Sequence, residues 1–274
     1  MSNSKSYSDW LIVSDIDGTL NNKFRQLPDC NKRAIEDFVS RGGHFTLASG
    51  RNPQSMEKHF RNLPIAGTPA VVINGAGIYD FQKNEMIHFS PMNSEAMQLA
   101  VDAAKKFPLV DVLIVAKDII YVTGTGWFGK IFVSTDKLKH ECIKNIDDVP
   151  KENWGKVIFS GLPTHIRKVK KHFEILNSPE LTLMSSSIAS FEILASNTHK
   201  GTAVLKLAEI LGIDKAHIGA IGDYFNDYDM LKSVAVPACC GQAPKELKEV
   251  SKFVACHCNS GAVADFLKHI YTNY

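Results

Sequence analysis

The sequence predicts an α/β protein: a Rossmann-like, doubly wound parallel-sheet core carrying an inserted α+β cap domain. Three observations carry that expectation. Trp10–Ser14 is an unbroken apolar run that stops at Asp15, the pattern of a central parallel strand buried on both faces. Strand and helix patterns then alternate as far as Asn74. That alternation lapses near residue 80 and resumes only after Lys200.

The elements follow in order. Ala34, Ile35, Phe38 and Val39 recur at helical spacing within Asn31–Ser40, and Arg41-Gly42-Gly43 ends that helix. His44–Ala48 is the second strand, followed by Ser49-Gly50-Arg51 and a helix to about Asn62. Ala70–Ile73 is the third strand, ending in Asn74-Gly75-Ala76-Gly77. The inserted stretch opens with a hairpin over Tyr79–Phe89 and a helix over Ser94–Phe107. Strands follow at Val110–Ala116, Ile119–Thr123, Lys156–Ser160 and Phe191–Ala195. Within it, Ile166, Val169, Phe173 and Leu176 define the apolar face of a helix whose opposite, solvated face carries Arg167, Lys168, Lys170 and Lys171. After Lys200 come a helix over Thr202–Leu211 stopped by Gly212, a strand over His217–Ile221, and a helix over Asp227–Lys232. The chain closes with a short strand at Val234–Pro237, a helix at Pro244–Val250, a strand at Phe253-Val254 and a helix at Gly261–Ile270. The expected division is a discontinuous core, residues 1–81 and 196–274, around a cap at 82–195.

Bulk properties narrow the function. The 274 residues are 45% hydrophobic and 22% charged, and Lys+Arg 31 against Asp+Glu 29 leaves +2. So balanced a charge argues against a nucleic-acid partner. No apolar run has membrane-spanning length and no secretory signal pattern precedes Trp10, so no membrane partner and a cytoplasmic location are expected. The six cysteines lack the Cys-x-x-Cys spacing of a zinc knuckle and read as free thiols.

Chemistry concentrates where strands end. Side chains at i and i+2 of an extended chain point the same way, so Asp15 and Asp17 share one face just beyond the first strand. Two carboxylates so placed need a cation or a proton between them. Asp15 can then serve as metal ligand and nucleophile, and Asp17 as acid and base toward the leaving oxygen and the hydrolytic water, although Asp17-Gly18 also reads as an ordinary turn after a strand. Gly18 permits the turn and Thr19 fixes it. Ser49, with the backbone N–H groups that follow it, forms an anion cradle at the next strand end. Lys200 brings a positive charge. Gly222-Asp223 and Asn226-Asp227 add two acids and an amide at another strand end. Mg²⁺ prefers about six oxygen ligands and retains waters, so Asp15 and Asp223 suffice when joined by a backbone carbonyl and a phosphate oxygen, with Asp227 orienting waters or Lys200.

Asp15-Ile16-Asp17-Gly18-Thr19-Leu20, Ser49-Gly50-Arg51, Lys200-Gly201 and Gly222-Asp223-x-x-Asn226-Asp227 stand in the order of the four motifs of the haloacid dehalogenase superfamily, which this chain resembles from end to end. Asn74-Gly75-Ala76 and the position of the insertion resemble its Cof-type, sugar-phosphatase-like subgroup. The resemblance implies a Mg²⁺-dependent phosphatase of small-molecule phosphate monoesters working through an aspartyl-phosphate. Asp15 is then the nucleophile, Asp17 the acid and base, and Ser49 and Lys200 the phosphoryl binders. It implies that Asp15, the main-chain carbonyl of Asp17 and Asp223 hold the metal. Thr19, Gly50, Arg51, Asn74 and Asn226 are substrate-binding candidates.

The chain departs from the pattern at Gly241-Gln242-Ala243, where relatives carry Gly-Asn-Ala, and at the bulky Tyr224 and Phe225. Two alternatives share the same residues: a phosphomutase, and a catalytically silent regulator that binds phosphometabolites. Sugar phosphates and phosphorylated cofactors both remain open as substrates. Trp127-Phe128 in the insertion is an aromatic loop candidate for stacking on a ring, or for packing within the cap.

Overall fold

Strand β1 (Leu11–Ser14) lies between β2 (His44–Leu47) and β12 (Ile218–Gly222) and pairs in parallel with both. The structure, a computed structural model, describes residues 6–65, 67–123, 129 and 138–274. Beyond β12 the sheet continues through β13 (Val236–Cys239) to β14 (Phe253–Val254), giving the order β14-β13-β12-β1-β2, all parallel. Every residue of β1 is buried, which is why this strand reads as continuous rather than alternating apolar sequence. Leu11 and Val13 pack with Val204, Leu207, Ile218, Ala220 and Leu231. Burial of each such side chain favours folding by about 1.5–3 kcal/mol, so a charged residue at Val13 would break this core.

The chain runs outward from β1 to β2 on one side and returns through β12 to β14 on the other. The strand order therefore reverses at β1, and α/β sheets open their ligand crevice at the carboxyl ends of strands flanking such a reversal. Strand β3 (Ala70–Val72) joins next to β2 through a parallel bridge, Ala48 to Val71, and then runs antiparallel to β4 (Gly77–Asp80). Strand β5 (Glu85–Phe89) completes that smaller sheet.

Contacts divide the chain into two compact units, Met1–Ile87 with His199–Tyr274, and His88–Thr198. The second holds a sheet ordered β10-β11-β9-β6-β7-β8. These strands are β6 (Asp111–Ala116), β7 (Ile120–Thr123), β8 (His140–Ile143), β9 (Trp154–Ser160), β10 (Leu181–Ser187) and β11 (Ser190–Ala195). One face of the sheet presents Val112, Ile114, Val157, Phe159, Phe191 and Ile193 to helices Ser94–Lys106 and Pro163–Leu176. Ile166, Val169 and Phe173 of the second helix enter that core, whereas Leu176, placed by its spacing on the same face, is 40% exposed. It is the last helical residue, and Asn177 turns the chain left-handed immediately after it. Strands β8 and β10, with their charged or serine-rich composition, carry too weak an alternation to be read from sequence. The strand expected at Val234–Pro237 lies two residues later, because its pairing with β12 starts at Val236 opposite Gly219.

Candidate active site

The carboxyl ends of β1, β2 and β12, with Asn74 after β3 and Lys200 at the start of helix Lys200–Leu211, carry the groups singled out above, all within the first unit. The Asp15 N–H donates to the Ile221 carbonyl at 3.0 Å, so the parallel ladder sets the backbone of Asp15 one residue past β1. From there the chain curls back: Leu20 N–H bonds Asp15 O and Asn21 N–H bonds Ile16 O. Two side chains remote in sequence hold this curl. Asn31 donates to Leu20 O at 2.8 Å, and Gln242 donates from Nε2 to Gly18 O at 2.6 Å while its Oε1 accepts from Cys258 N–H. Asn31 was not foreseen, since one asparagine in an amphipathic helix carries no signal of its own. Gly18 has φ +86°, and a Cβ there would stand 2.4 Å from Asp223 Oδ2. Only glycine lets the two acidic loops approach so closely.

Asp15, Asp223 and Asp227 each bring a carboxylate oxygen within 4.8 Å of the others. Lys200, fully buried, donates to Asp15 Oδ1 and to Asp227 Oδ1, at 2.6 Å each. Its position follows from local sequence. His199 caps helix Lys200–Leu211: its ring nitrogen accepts from Thr202 N–H, and Thr202 Oγ1 accepts from His199 N–H. Lys200 is thereby the first helical residue. The second oxygen of Asp227 accepts the N–H groups of Asp223 (3.0 Å) and Tyr224 (3.2 Å), which fixes the loop after β12. Asp223 also accepts from Thr19 Oγ1 at 3.2 Å.

Electrostatics make this cluster hungry for a cation. When all are ionised, three carboxylates and one ammonium sum to a charge of −2, with Asp15, Asp227 and Lys200 buried and Asp223 half-buried. Burial pushes the Asp15 carboxyl up to about 8; Lys200 opposes that shift, whereas the charges of Asp227 and Asp223 add to it. Burial, with Asp227 adding to it, pushes Asp223 up to about 6. Burial pulls Lys200 down, but the two carboxylates it bonds outweigh this and raise it, so it stays charged. A divalent cation would neutralise the remainder, and an all-oxygen donor set suits a hard ion such as Mg²⁺. Asp15 and Asp223 are the residues that would hold it. Asp227 spends both oxygens on Lys200 and the 223–224 backbone.

The other expected residues lie around this centre. Ser49 is 4% exposed, its N–H bonded to Val71 O and its Oγ accepting from Arg51 N–H. Arg51 grips Asp17 through Nε and Nη2. Asn74 is buried against Gly50, and Asn226 is half-buried in the single 3₁₀ turn Phe225–Asp227. Trp127 and Phe128 lie outside the described residues. The six cysteines are free, and the aspartate trio is the one group of candidate metal ligands among the described residues.

A doubly wound sheet with an acidic cluster at its strand-order reversal and an inserted second sheet defines a hydrolase of the haloacid dehalogenase type. A family model of haloacid dehalogenase-like hydrolases matches residues 12–267, and the chain belongs to that family. It is 28% identical over 287 residues to 5-amino-6-(5-phospho-D-ribitylamino)uracil phosphatase YwtE of Bacillus subtilis, covering 94% of this chain and 97% of that one. It is 24% identical over 268 residues to the HMP-PP phosphatase of Serratia proteamaculans, covering 94% of each chain. Its fold matches the crystal structure of a haloacid dehalogenase-like hydrolase from Bacteroides thetaiotaomicron with TM-score 0.82 at 20% identity, covering 97% of this chain and 100% of the other.

Proposed function

We propose that this enzyme is a Mg²⁺-dependent phosphatase of the Cof type that hydrolyses small-molecule phosphate monoesters through an aspartyl-phosphate. The observation that carries the reading is the close trio of Asp15, Asp223 and Asp227, of which Asp15 and Asp227 are buried and bridged by Lys200, and which carries a double negative charge once all three acids are ionised. Mg²⁺, when bound, supplies charge neutralisation for the phosphoryl oxygens.

In the first step a carboxylate oxygen of Asp15 attacks phosphorus. The bond to the leaving oxygen breaks as Asp17 delivers its proton there, so an alcohol departs and an acyl phosphate remains. In the second step Asp17 takes a proton from water, whose oxygen attacks phosphorus. Asp15 leaves as carboxylate and inorganic phosphate is released. Lys200 and Ser49 hold the phosphoryl oxygens, and most of the acceleration comes from positioning and charge. Arg51 holds the Asp17 carboxylate through Nε and Nη2.

The substrate we propose is a sugar phosphate or a phosphorylated cofactor, with the inserted unit as the domain that selects the leaving group; the two relatives reported above, a 5-amino-6-(5-phospho-D-ribitylamino)uracil phosphatase and an HMP-PP phosphatase, support a small phosphorylated molecule. The test is a phosphate-release screen over sugar phosphates, pyridoxal phosphate, flavin mononucleotide and nucleotides, with Mg²⁺ or with chelator. Asp15→Asn should keep the fold and lose turnover by about three orders of magnitude or more, because it removes the attacking group itself. Comparable phosphate release by that variant would sink the mechanism.

A further inference from the structure

Ile73, Asn74 and Gly75, directly after β3, have φ of 54°, 53° and 100°. Three consecutive left-handed residues are rare, and the β-branched Ile73 is the costliest kind to place there. Strained backbone of this sort persists only where surrounding contacts over-determine it.

The contacts fall on two sides. Toward the end of β2, Ile73 N–H donates to Arg51 O (2.8 Å) and Asn74 N–H donates to Ser49 O (3.0 Å). The Asn74 amide lies face-on to Gly50: a Cβ there would stand 2.8 Å from its Oδ1, 2.9 Å from its Nδ2 and 3.1 Å from its Cγ. On the other side, a Cβ on Gly75 would stand 2.2 Å from the carbonyl oxygen of His199 and 2.9 Å from Lys200 N. His199 O also accepts from Thr202 Oγ1 and Ala203 N–H, so it is part of the first turn that carries Lys200. One strained turn thus touches both segments that supply phosphoryl-binding groups, the end of β2 and the first turn of helix Lys200–Leu211, which are far apart in sequence.

We propose that Asn74 and Gly75 are positioning residues that set the separation of Ser49 from Lys200, and that Asn74, 1% exposed, acts through this packing rather than on the substrate. The proposal rests on the phosphoryl-binding roles given to Ser49 and Lys200 above. Any side chain at residue 75 must push the first turn of helix Lys200–Leu211 away, and Lys200 with it. The metal ligands stay where they are, since Asp15 and Asp223 follow β1 and β12.

Three variants test this. Gly75→Ala is the main one. Asn74→Gly keeps a backbone free to turn left-handed while deleting the amide. Gly67→Ala is the control, because Gly67 also has φ +100° but its Cβ would meet only Gln82 Nε2, at 4.0 Å. With p-nitrophenyl phosphate, Gly75→Ala should lower kcat about 100-fold or more and Asn74→Gly about tenfold, each with KM within about threefold, since misplacing a group by ~1 Å is felt mainly in the transition state. The thermal shift produced by Mg²⁺ should survive in both. Gly67→Ala should lose thermal stability and keep kcat. Calorimetry with orthovanadate, which adopts the geometry of a phosphoryl group in transfer, should show Gly75→Ala weakening it about 100-fold. That measurement decides the positioning claim even if no monoester is turned over, so its failure is distinct from failure of the phosphatase reading. A Gly75→Ala protein with kcat and vanadate affinity within twofold of wild type overturns the proposal. So does an Asn74→Gly protein whose KM and inorganic-phosphate inhibition constant rise tenfold at constant kcat, which would make Asn74 a substrate ligand. If Gly75→Ala does not fold, Asn74→Gly decides: kcat and vanadate affinity within twofold of wild type overturn the claim.

Discussion

Arg51 holds Asp17 with a planar fork: Nε–H donates to Oδ2 at 3.0 Å and Nη2–H to Oδ1 at 3.2 Å. Asp17 is 44% exposed and Arg51 19%, so water and substrate can compete for this pair. Arg51→Lys cannot reproduce two parallel bonds. We expect kcat to fall about 10–100-fold, through misdirection of Asp17, with stability changed by less than about 1 kcal/mol. Steady-state kinetics beside urea unfolding check this, and unchanged kcat would mean the fork is incidental.

Protons and Mg²⁺ should compete for the aspartate cluster. Asp15 and Asp223 are raised to about 8 and about 6 from 3.8, so the metal-free folded protein holds protons that the unfolded chain has released. Stability from this source is present in full below pH 4 and is lost as pH rises through about 6 and 8. A divalent cation replaces those protons. The rise in Tm on adding Mg²⁺ should therefore be larger at pH 8 than at pH 5, by differential scanning calorimetry against chelator. Equal shifts at both pH values would contradict the linkage.

Lys200 is held by charge rather than by packing alone. Lys200→Met leaves the buried acids Asp15 and Asp227 with no ammonium and should cost about 3–5 kcal/mol in chelator. Lys200→Met with Asp227→Asn should recover part of that loss while remaining inactive. Urea unfolding of the three proteins measures it; equal destabilisation by single and double variants would show that charge balance is not what Lys200 provides.

The inserted unit carries a buried ion pair, Lys156 Nζ to Glu192 Oε2 at 2.8 Å, both residues 5% exposed or less. Removing one partner takes this charge pairing from the other, so Lys156→Met should destabilise by about 3–5 kcal/mol, and Lys156→Met with Glu192→Leu by clearly less. A double-mutant cycle with no coupling would argue that neighbouring groups, not this partner, satisfy each charge.

Much of the core could be read from residue order because its signals are local. A buried parallel strand is an apolar run ending at an acid, as in Leu11–Ser14 before Asp15, and Gly212 marks a helix end with φ +70°. Elements whose identity depends on neighbours were less legible. Strand β13 begins at Val236 because β12 offers Gly219 as its partner, and β8 and β10 are strands only by virtue of the sheet they edge.

By itself, the sequence determined which chemical groups the site draws on: the acids at residues 15, 17, 223 and 227 and the hydroxyl of Ser49 near strand ends, and the amine of Lys200 at a helix start. Tertiary structure alone decided how they are wired. Lys200 bridges Asp15 and Asp227, Arg51 takes Asp17, Gln242 ties down Gly18, and Gly75 backs the turn that carries Lys200. The physical reason is range. Backbone preference and apolar period act over a few residues, whereas charge balance and close packing act through space, between segments that meet only once the sheet has formed.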